Sequence, residues 1–166
     1  MRAFEEFHQH LDIQLRQALT PLARWLGRLR VTPNQVTLAG AALNLLTAWL
    51  IVQDHLLAAG LAFLLAGSFD MLDGLLARLS DQATAFGAFL DSTLDRLSEG
   101  VVFTAIVYEL AALGDALSAG VAVLALLGSL LVSYTRARAE ALGVTCTTGL
   151  MQRPERIVLL GLGLIA

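Results

Sequence analysis

Charge is scarce in this chain of 166 residues, lysine is missing, and there is a single cysteine. Charged residues make up 15% of it, against about 25% in a soluble globular domain, while 57% are hydrophobic. That balance excludes an ordinary soluble domain and points to an integral membrane protein. Cys146 alone can form neither an intramolecular disulfide nor a zinc cluster. A signal peptide is missing too. Residues 1–17 carry Glu5, Glu6, His8, His10 and Asp12 rather than a short basic stretch before an apolar core, so neither secretion nor cleavage is expected.

What charge there is falls in a pattern. All 11 basic residues are arginine, in three clusters: Arg2, Arg16, Arg24, Arg28 and Arg30; then Arg78 and Arg96; then Arg136, Arg138, Arg153 and Arg156. No acidic or basic residue lies between Arg30 and Asp54, nor in 116–135, and each stretch is about the ~20 residues a helix needs to span hydrocarbon. Stretches 55–69 and 97–113 are less clean, since one runs into aspartates and the other carries Glu99 and Glu109. Both read as spans facing a protein interior. Stretch 157–166 is apolar but too short to cross alone, so the natural chain is expected to continue. Arginine-rich short loops stay on the cytoplasmic side, and the linkers at 53–55 and 114–115 have no arginine. The expected topology is therefore N-terminus inside, four spans, and a fifth beginning at the inner face.

Ahead of the first span, Phe4, Phe7, Leu11, Leu15, Leu19, Leu22, Leu26 and Leu29 recur at spacings of three and four. This predicts an amphipathic helix over 1–31, bent or broken near Thr20-Pro21, lying in the membrane interface or packed on the protein's own inner face. Thr32-Pro33 reads as an N-cap followed by proline in the first helical turn. A membrane domain over 32–166 would follow.

Four aspartates lie in the most apolar part of the chain: Asp70 and Asp73, three apart, and Asp91 and Asp95, four apart. Each pair shares a helix face, and the polar stretch 78–84 lets the second helix return antiparallel to the first, so the two acidic faces converge. Intramembrane carboxylates are costly and read as functional. Four hard oxygen ligands without histidine or cysteine suit Mg²⁺ or Mn²⁺, and magnesium usually shares its shell with substrate phosphates. Gly74, Ala77 and Gly87 leave room beside them for a phosphate-bearing molecule. A cation- or proton-coupled transporter is a weaker reading, because its acids would sit near the bilayer midplane. A membrane scaffold leaves the four carboxylates unexplained.

The pattern DxxDGxxAR, eight residues, then GxxxDxxxD, formed by Asp70, Asp73, Gly74, Ala77, Arg78, Gly87, Asp91 and Asp95, resembles the motif of the CDP-alcohol phosphotransferases at every fixed position. The resemblance extends over 32–156. It implies an all-α membrane fold with an interfacial helix ahead of six spanning helices, of which this chain holds about five, and a homodimer. It also implies two divalent ions, Mg²⁺ or Mn²⁺, held by Asp70, Asp73, Asp91 and Asp95, with Asp95 also the general base. Gly74, Arg78, Thr84 and Gly87, with Pro33, Asn34, Gln35 and Val36, would hold the CDP part of a CDP-linked lipid. The expected reaction transfers a lipid phosphate to an acceptor hydroxyl and releases cytidine monophosphate, in the cytoplasmic membrane with the site facing the cytoplasm. Membrane lipids are partners and nucleic acid is not.

Arg136, Arg138, Arg153 and Arg156 fall on the same side as the aspartates and read either as flanking charge or, as a group, as a second anion site. An acceptor that already carries phosphate would be drawn there. The passage looks like the branch of phosphatidylinositol phosphate synthases and their archaeal-lipid relatives, and also somewhat like phosphatidylglycerol phosphate synthases; the first resemblance favours inositol phosphate over glycerol 3-phosphate as the acceptor. Ser98-Glu99 departs from the Asp-Gly or Asp-Ala step of many relatives.

Overall fold

A computed structural model describes residues 18–144 and 153–165. Among them every regular element is a helix: α1 over 18–28, α2 Pro33–Val52, α3 Leu56–Leu79, α4 Ala85–Ala112, α5 Ala116–Ala141 and α6 Arg153–Ile165. The predicted helix over 1–31 is thus seen from residue 18, and its earlier part lies outside the described residues, as do Cys146 and the loop around it. Residues 18–28 are helical through Thr20 and Pro21, so of the expected bend or break there the break is not seen.

The helix starts follow from local chemistry. Thr32 caps α2 through a capping box: its hydroxyl accepts from Gln35 N at 3.4 Å, and Gln35 Oε1 accepts from Thr32 N at 2.9 Å. Pro33 then occupies the first turn, where no N–H is missed. Thr84 caps α4 and Asp115 caps α5, accepting from Gly87 N at 2.9 Å and Ser118 N at 3.0 Å.

The helix ends share a second device. Arg30, Asp54, Asp81, Gly114 and Gly143 close the first five helices in the left-handed region, with φ between 53° and 79°. The next residue's N–H then reaches back five positions, as in Val31 N to Leu26 O at 3.1 Å and Gln82 N to Ala77 O at 3.0 Å. Such closures satisfy carbonyls that a helix end leaves without partners, and they turn the chain within a few residues.

Helix α2 packs on α3 and α4, α3 on α6, and α4 on α5. Ala48, Ile51, Ala59, Phe63, Val102 and Ala105 form one core between α2, α3 and α4. A second core of Ala23, Val36, Leu72 and Leu76 seats α1 against the start of α2 and the end of α3. Of the two placements open for the N-terminal helix, its described part thus has a face packed on the bundle, while Leu22, Trp25 and Leu29 point outward and are largely exposed. Helix α6 runs antiparallel along α3 through small residues. A Cβ on Gly60, Gly67 or Gly161 would lie 2.8 Å or less from Ile165, Ile157 or Leu64 respectively. Close glycine contact of this kind is how helices approach in lipid.

By length and composition α2, α3 and α5 are apolar enough to cross a membrane. Helix α4, the longest, falls outside this measure because Asp91, Asp95, Arg96, Glu99 and Glu109 interrupt its apolar character, as the sequence already indicated for 97–113. Together with the sequence, these helices mark an integral membrane protein.

Candidate metal and nucleotide site

Three of the four aspartates come together. Asp70 on α3 and Asp91 and Asp95 on α4 each offer a carboxylate oxygen within 4.8 Å of the other two, and all three are half-buried. The spread is close to the roughly 4 Å that separates opposite ligands around magnesium. Hard oxygens alone, drawn from two helices, fit a divalent cation better than a softer metal.

Asp73 is used differently. It is buried, and its Oδ2 accepts a hydrogen bond of 2.6 Å from Thr37 Oγ1 on α2. It sits one turn from Asp70, outside the group of three, so the predicted set of four divides into three converging carboxylates and one held by a threonine. Thr37 was not among the residues expected at the site. Its place one turn beyond Pro33, on the same face, is the signal that could have found it.

Two cavities meet at these carboxylates. The smaller, about 240 Å³, is lined by Pro33, Asn34, Gly74, Arg78, Thr84 and Gly87, all predicted to hold the CDP moiety, and also by Thr37, Asp73, Gln82 and Asp91. The start of α2 and the α3–α4 turn therefore lie at the same end of the bundle. Space is tight at Gly87, where a Cβ would come to 3.0 Å from Thr84 Oγ1 and 3.1 Å from Asn34 Oδ1, so both side chains would have to shift by a few tenths of an ångström. The Arg78 side chain folds back so that Nε donates to Gly74 O at 3.0 Å. Gln35 and Val36 do not line this cavity: Gln35 is committed to the capping box and Val36 to the core against α1.

The larger cavity, about 550 Å³, holds Asp70, Asp73 and Asp95 on one wall and runs on between α4, α5 and α6 past Phe103, Ala125, Gly128 and Leu160. Of the four arginines read as an anion site, Arg156 lines this cavity. Arg136 and Arg138 are exposed on α5 and line neither cavity, and the side chain of Arg153 lies outside the described residues. Arg156 Nε is 3.6 Å from Glu99 Oε1, which accepts a 2.5 Å hydrogen bond from Ser129 Oγ. Neither Glu99 nor Ser129 was anticipated as part of the site.

The chain is similar to known proteins over most of its length. Residues 30–165 match the CDP-alcohol phosphatidyltransferase family. The phosphatidylinositol phosphate synthase of Corynebacterium glutamicum is 44% identical over 149 residues, which cover 87% of this chain and 68% of that protein. The archaetidylinositol phosphate synthase of Pyrococcus horikoshii is 37% identical over 148 residues, covering 89% and 76%. Among solved structures, the phosphatidylinositol phosphate synthase of Mycobacterium tuberculosis with CDP-DAG bound superposes with a TM-score of 0.80 at 35% identity, covering 90% of this chain and 76% of that one. The same synthase in complex with manganese and citrate gives 0.79 at 37% identity, covering 87% and 70%.

Proposed function

The chain belongs to the CDP-alcohol phosphatidyltransferase family, a family of transferases, and on that premise we propose that it moves a phosphatidyl group from CDP-diacylglycerol to inositol phosphate, releasing cytidine monophosphate. The observation that carries the reading is the meeting of Asp70, Asp91 and Asp95 between a small cavity bearing Asn34, Arg78 and Thr84 and a large one that leads in among the helices. One side suits the nucleotide, the other the acceptor and the lipid.

In this reading the small cavity takes the CDP moiety. Asn34 offers an amide to the base, Arg78 pairs with a phosphate, and Gly74 and Gly87 let the ligand approach the backbone. Asp70, Asp91 and Asp95, with Asp73 beside them, would hold two divalent ions, magnesium by preference and manganese as an alternative. Bound there, these ions would offset the charge of the diphosphate and of the departing nucleotide. Asp95, which also faces the large cavity, takes the proton from the acceptor hydroxyl as its oxygen bonds to the phosphorus bearing the lipid. The bond from that phosphorus to the bridging oxygen breaks, and its electron pair leaves with cytidine monophosphate. Arg156 meets the acceptor's own phosphate, an arrangement that prefers inositol phosphate to unphosphorylated inositol.

We infer further that α4 crosses the bilayer with α2, α3 and α5, its carboxylates turned to the interior, and that the N-terminus and the site face the cytoplasm. The arginines at the site end support this orientation. A cysteine placed at Gln82 should react with a membrane-impermeant thiol reagent from the cytoplasmic side, and one at Gln53 from the opposite side, in a background lacking Cys146. A homodimer belongs to the same proposal, and cross-linking in native membrane tests it.

The deciding experiment is cytidine monophosphate release by the purified protein in lipid with Mg²⁺ and CDP-diacylglycerol, offering inositol 1-phosphate, glycerol 3-phosphate, free inositol and serine in turn. Release with inositol 1-phosphate supports the proposal. Release with glycerol 3-phosphate alone would make the protein a phosphatidylglycerol phosphate synthase, and release with none would sink the donor assignment.

A further inference from the structure

Glu99 and Ser129 lie outside the family motif and outside the chemistry described above, yet they line the same cavity as the catalytic carboxylates. Glu99 follows Asp95 by one helical turn on one face of α4, so a group beside Glu99 is within about 6 Å along the helix axis of the reacting end. Three helices meet at this carboxylate: α4 supplies it, α5 supplies the Ser129 hydroxyl at 2.5 Å, and α6 supplies Arg156 at 3.6 Å.

The two contacts are unequal. The bond from Ser129 is short, whereas the separation from Arg156 is beyond hydrogen-bond range, and the buried Nε finds no hydrogen-bond partner among the described residues. A guanidinium in such a place costs heavily without a neighbouring negative charge. Glu99 supplies that charge without a hydrogen bond to Nε, and the serine draws its Oε1 toward α5. The charge is neutralised while Nε keeps a donor to offer, which is the condition for exchanging a resident carboxylate for an incoming anion.

The geometry points to Glu99 as a resident counter-anion of Arg156, one that the acceptor's phosphate must share or displace, so that Glu99 and Ser129 together set the affinity for the acceptor. The inference rests on the phosphorylated acceptor proposed above. A dianionic phosphate competes with a carboxylate for the guanidinium, whereas a neutral polyol does not.

Glu99→Gln keeps an oxygen that can accept from Ser129 and removes the negative charge. Its acceptor KM for inositol 1-phosphate should fall about threefold or more, inorganic phosphate should inhibit at correspondingly lower concentration, and the KM for CDP-diacylglycerol should stay within about twofold. Ser129→Ala, a small change that threatens folding less, frees Glu99 to close on Arg156 and should raise the acceptor KM about threefold. Opposite signs in the two variants are the signature of competition for Arg156. A merely structural cluster would move both in the same direction, and that outcome, or a rise in acceptor KM with Glu99→Gln, overturns the inference. Failure of the underlying reading shows in the unaltered protein: if free inositol is used as well as inositol 1-phosphate, and inorganic phosphate does not compete, no phosphate site exists for Glu99 to guard.

Discussion

Thr37 on α2 and Asp73 on α3 are joined by a 2.6 Å hydrogen bond that ties the helix bearing Pro33 and Asn34 to the helix bearing the first two motif aspartates. Thr37 also lies on the wall of both cavities, so one hydroxyl bears on the nucleotide side and the reacting side together. A hydrogen bond to a charged group contributes about 1.5–3 kcal/mol, and its loss beside a buried carboxylate is felt in full. Thr37→Val, nearly isosteric, should lower the rate of cytidine monophosphate release by about tenfold or more, and Thr37→Ser should restore most of it. Full activity in Thr37→Val with loss in Thr37→Ser would show that the methyl group, rather than the hydroxyl, matters.

Asp95→Asn should abolish turnover while leaving binding of CDP-diacylglycerol largely intact, since the small cavity is built without Asp95. General-base catalysis typically contributes a factor of about 10²–10⁴, which sets the scale of the loss. Donor binding measured beside the rate checks it, and full activity in the variant would remove the base assignment.

Removal of divalent ions with a chelator should silence the protein, and magnesium or manganese should restore it. Asp70→Asn and Asp91→Asn should each raise the metal concentration needed for half-maximal activity by at least about tenfold, because each takes one oxygen from the group within 4.8 Å. An unchanged metal requirement in either variant would dissolve the proposed metal centre.

Gly60→Ala should separate α6 from α3. The new Cβ would meet Ile165 Cγ1 at 2.5 Å and the Gly161 carbonyl at 2.8 Å, and a backbone oxygen cannot swing aside. Overpacking of this kind costs about 1–3 kcal/mol, so a lower melting temperature in detergent is expected. Gly120→Ala, inside α5 at a site with open space around it, is the control that should not lower the melting temperature.

Asp115 gives a dependence on pH at the far end of the bundle. The Ser118 hydrogen bonds hold its carboxyl below the usual carboxylate range. A group lowered on folding stabilises above its unfolded value, and that contribution is lost as pH falls through the folded one. Asp115→Ala should therefore lower the melting temperature at neutral pH, with the difference from the unaltered protein closing as the pH drops below about 4. A difference that persists at low pH would assign the effect to something other than the cap's charge.

Much of this was legible in the residues. Helix positions followed from charge-free stretches and cap chemistry, and the motif brought Asp70, Asp91, Asp95, Gly74, Arg78 and Gly87 to one place before any coordinates were needed. What escaped depends on neighbours that sequence order does not announce. Thr37 and Asp73 are 36 positions apart, and Ser129 and Glu99 are 30 apart. Such pairs are fixed only when α2, α3, α4 and α5 take their mutual rotations. Gln35 and Val36 illustrate the converse. They stand in a stretch whose first residues face the nucleotide cavity, but the 100° turn per residue of a helix carries Gln35 back to its cap and Val36 into the core. The arginines of the third cluster separate for a similar reason: Arg136 and Arg138 belong to α5, Arg156 to α6, and a shared sign of charge does not put them on one wall.

The five helix ends closed by their own backbone have a bearing on how the molecule comes to exist. Each closure draws on residues no more than five positions apart, so a hairpin can take shape as soon as its second arm has been made. Asp70, Asp91 and Asp95 all belong to the α3–α4 hairpin, whereas the large cavity waits for Arg156 on α6. During synthesis the acidic centre can therefore take shape, within a hairpin that already carries Arg78 and Arg96, some sixty residues before Arg156 completes the wall of the large cavity.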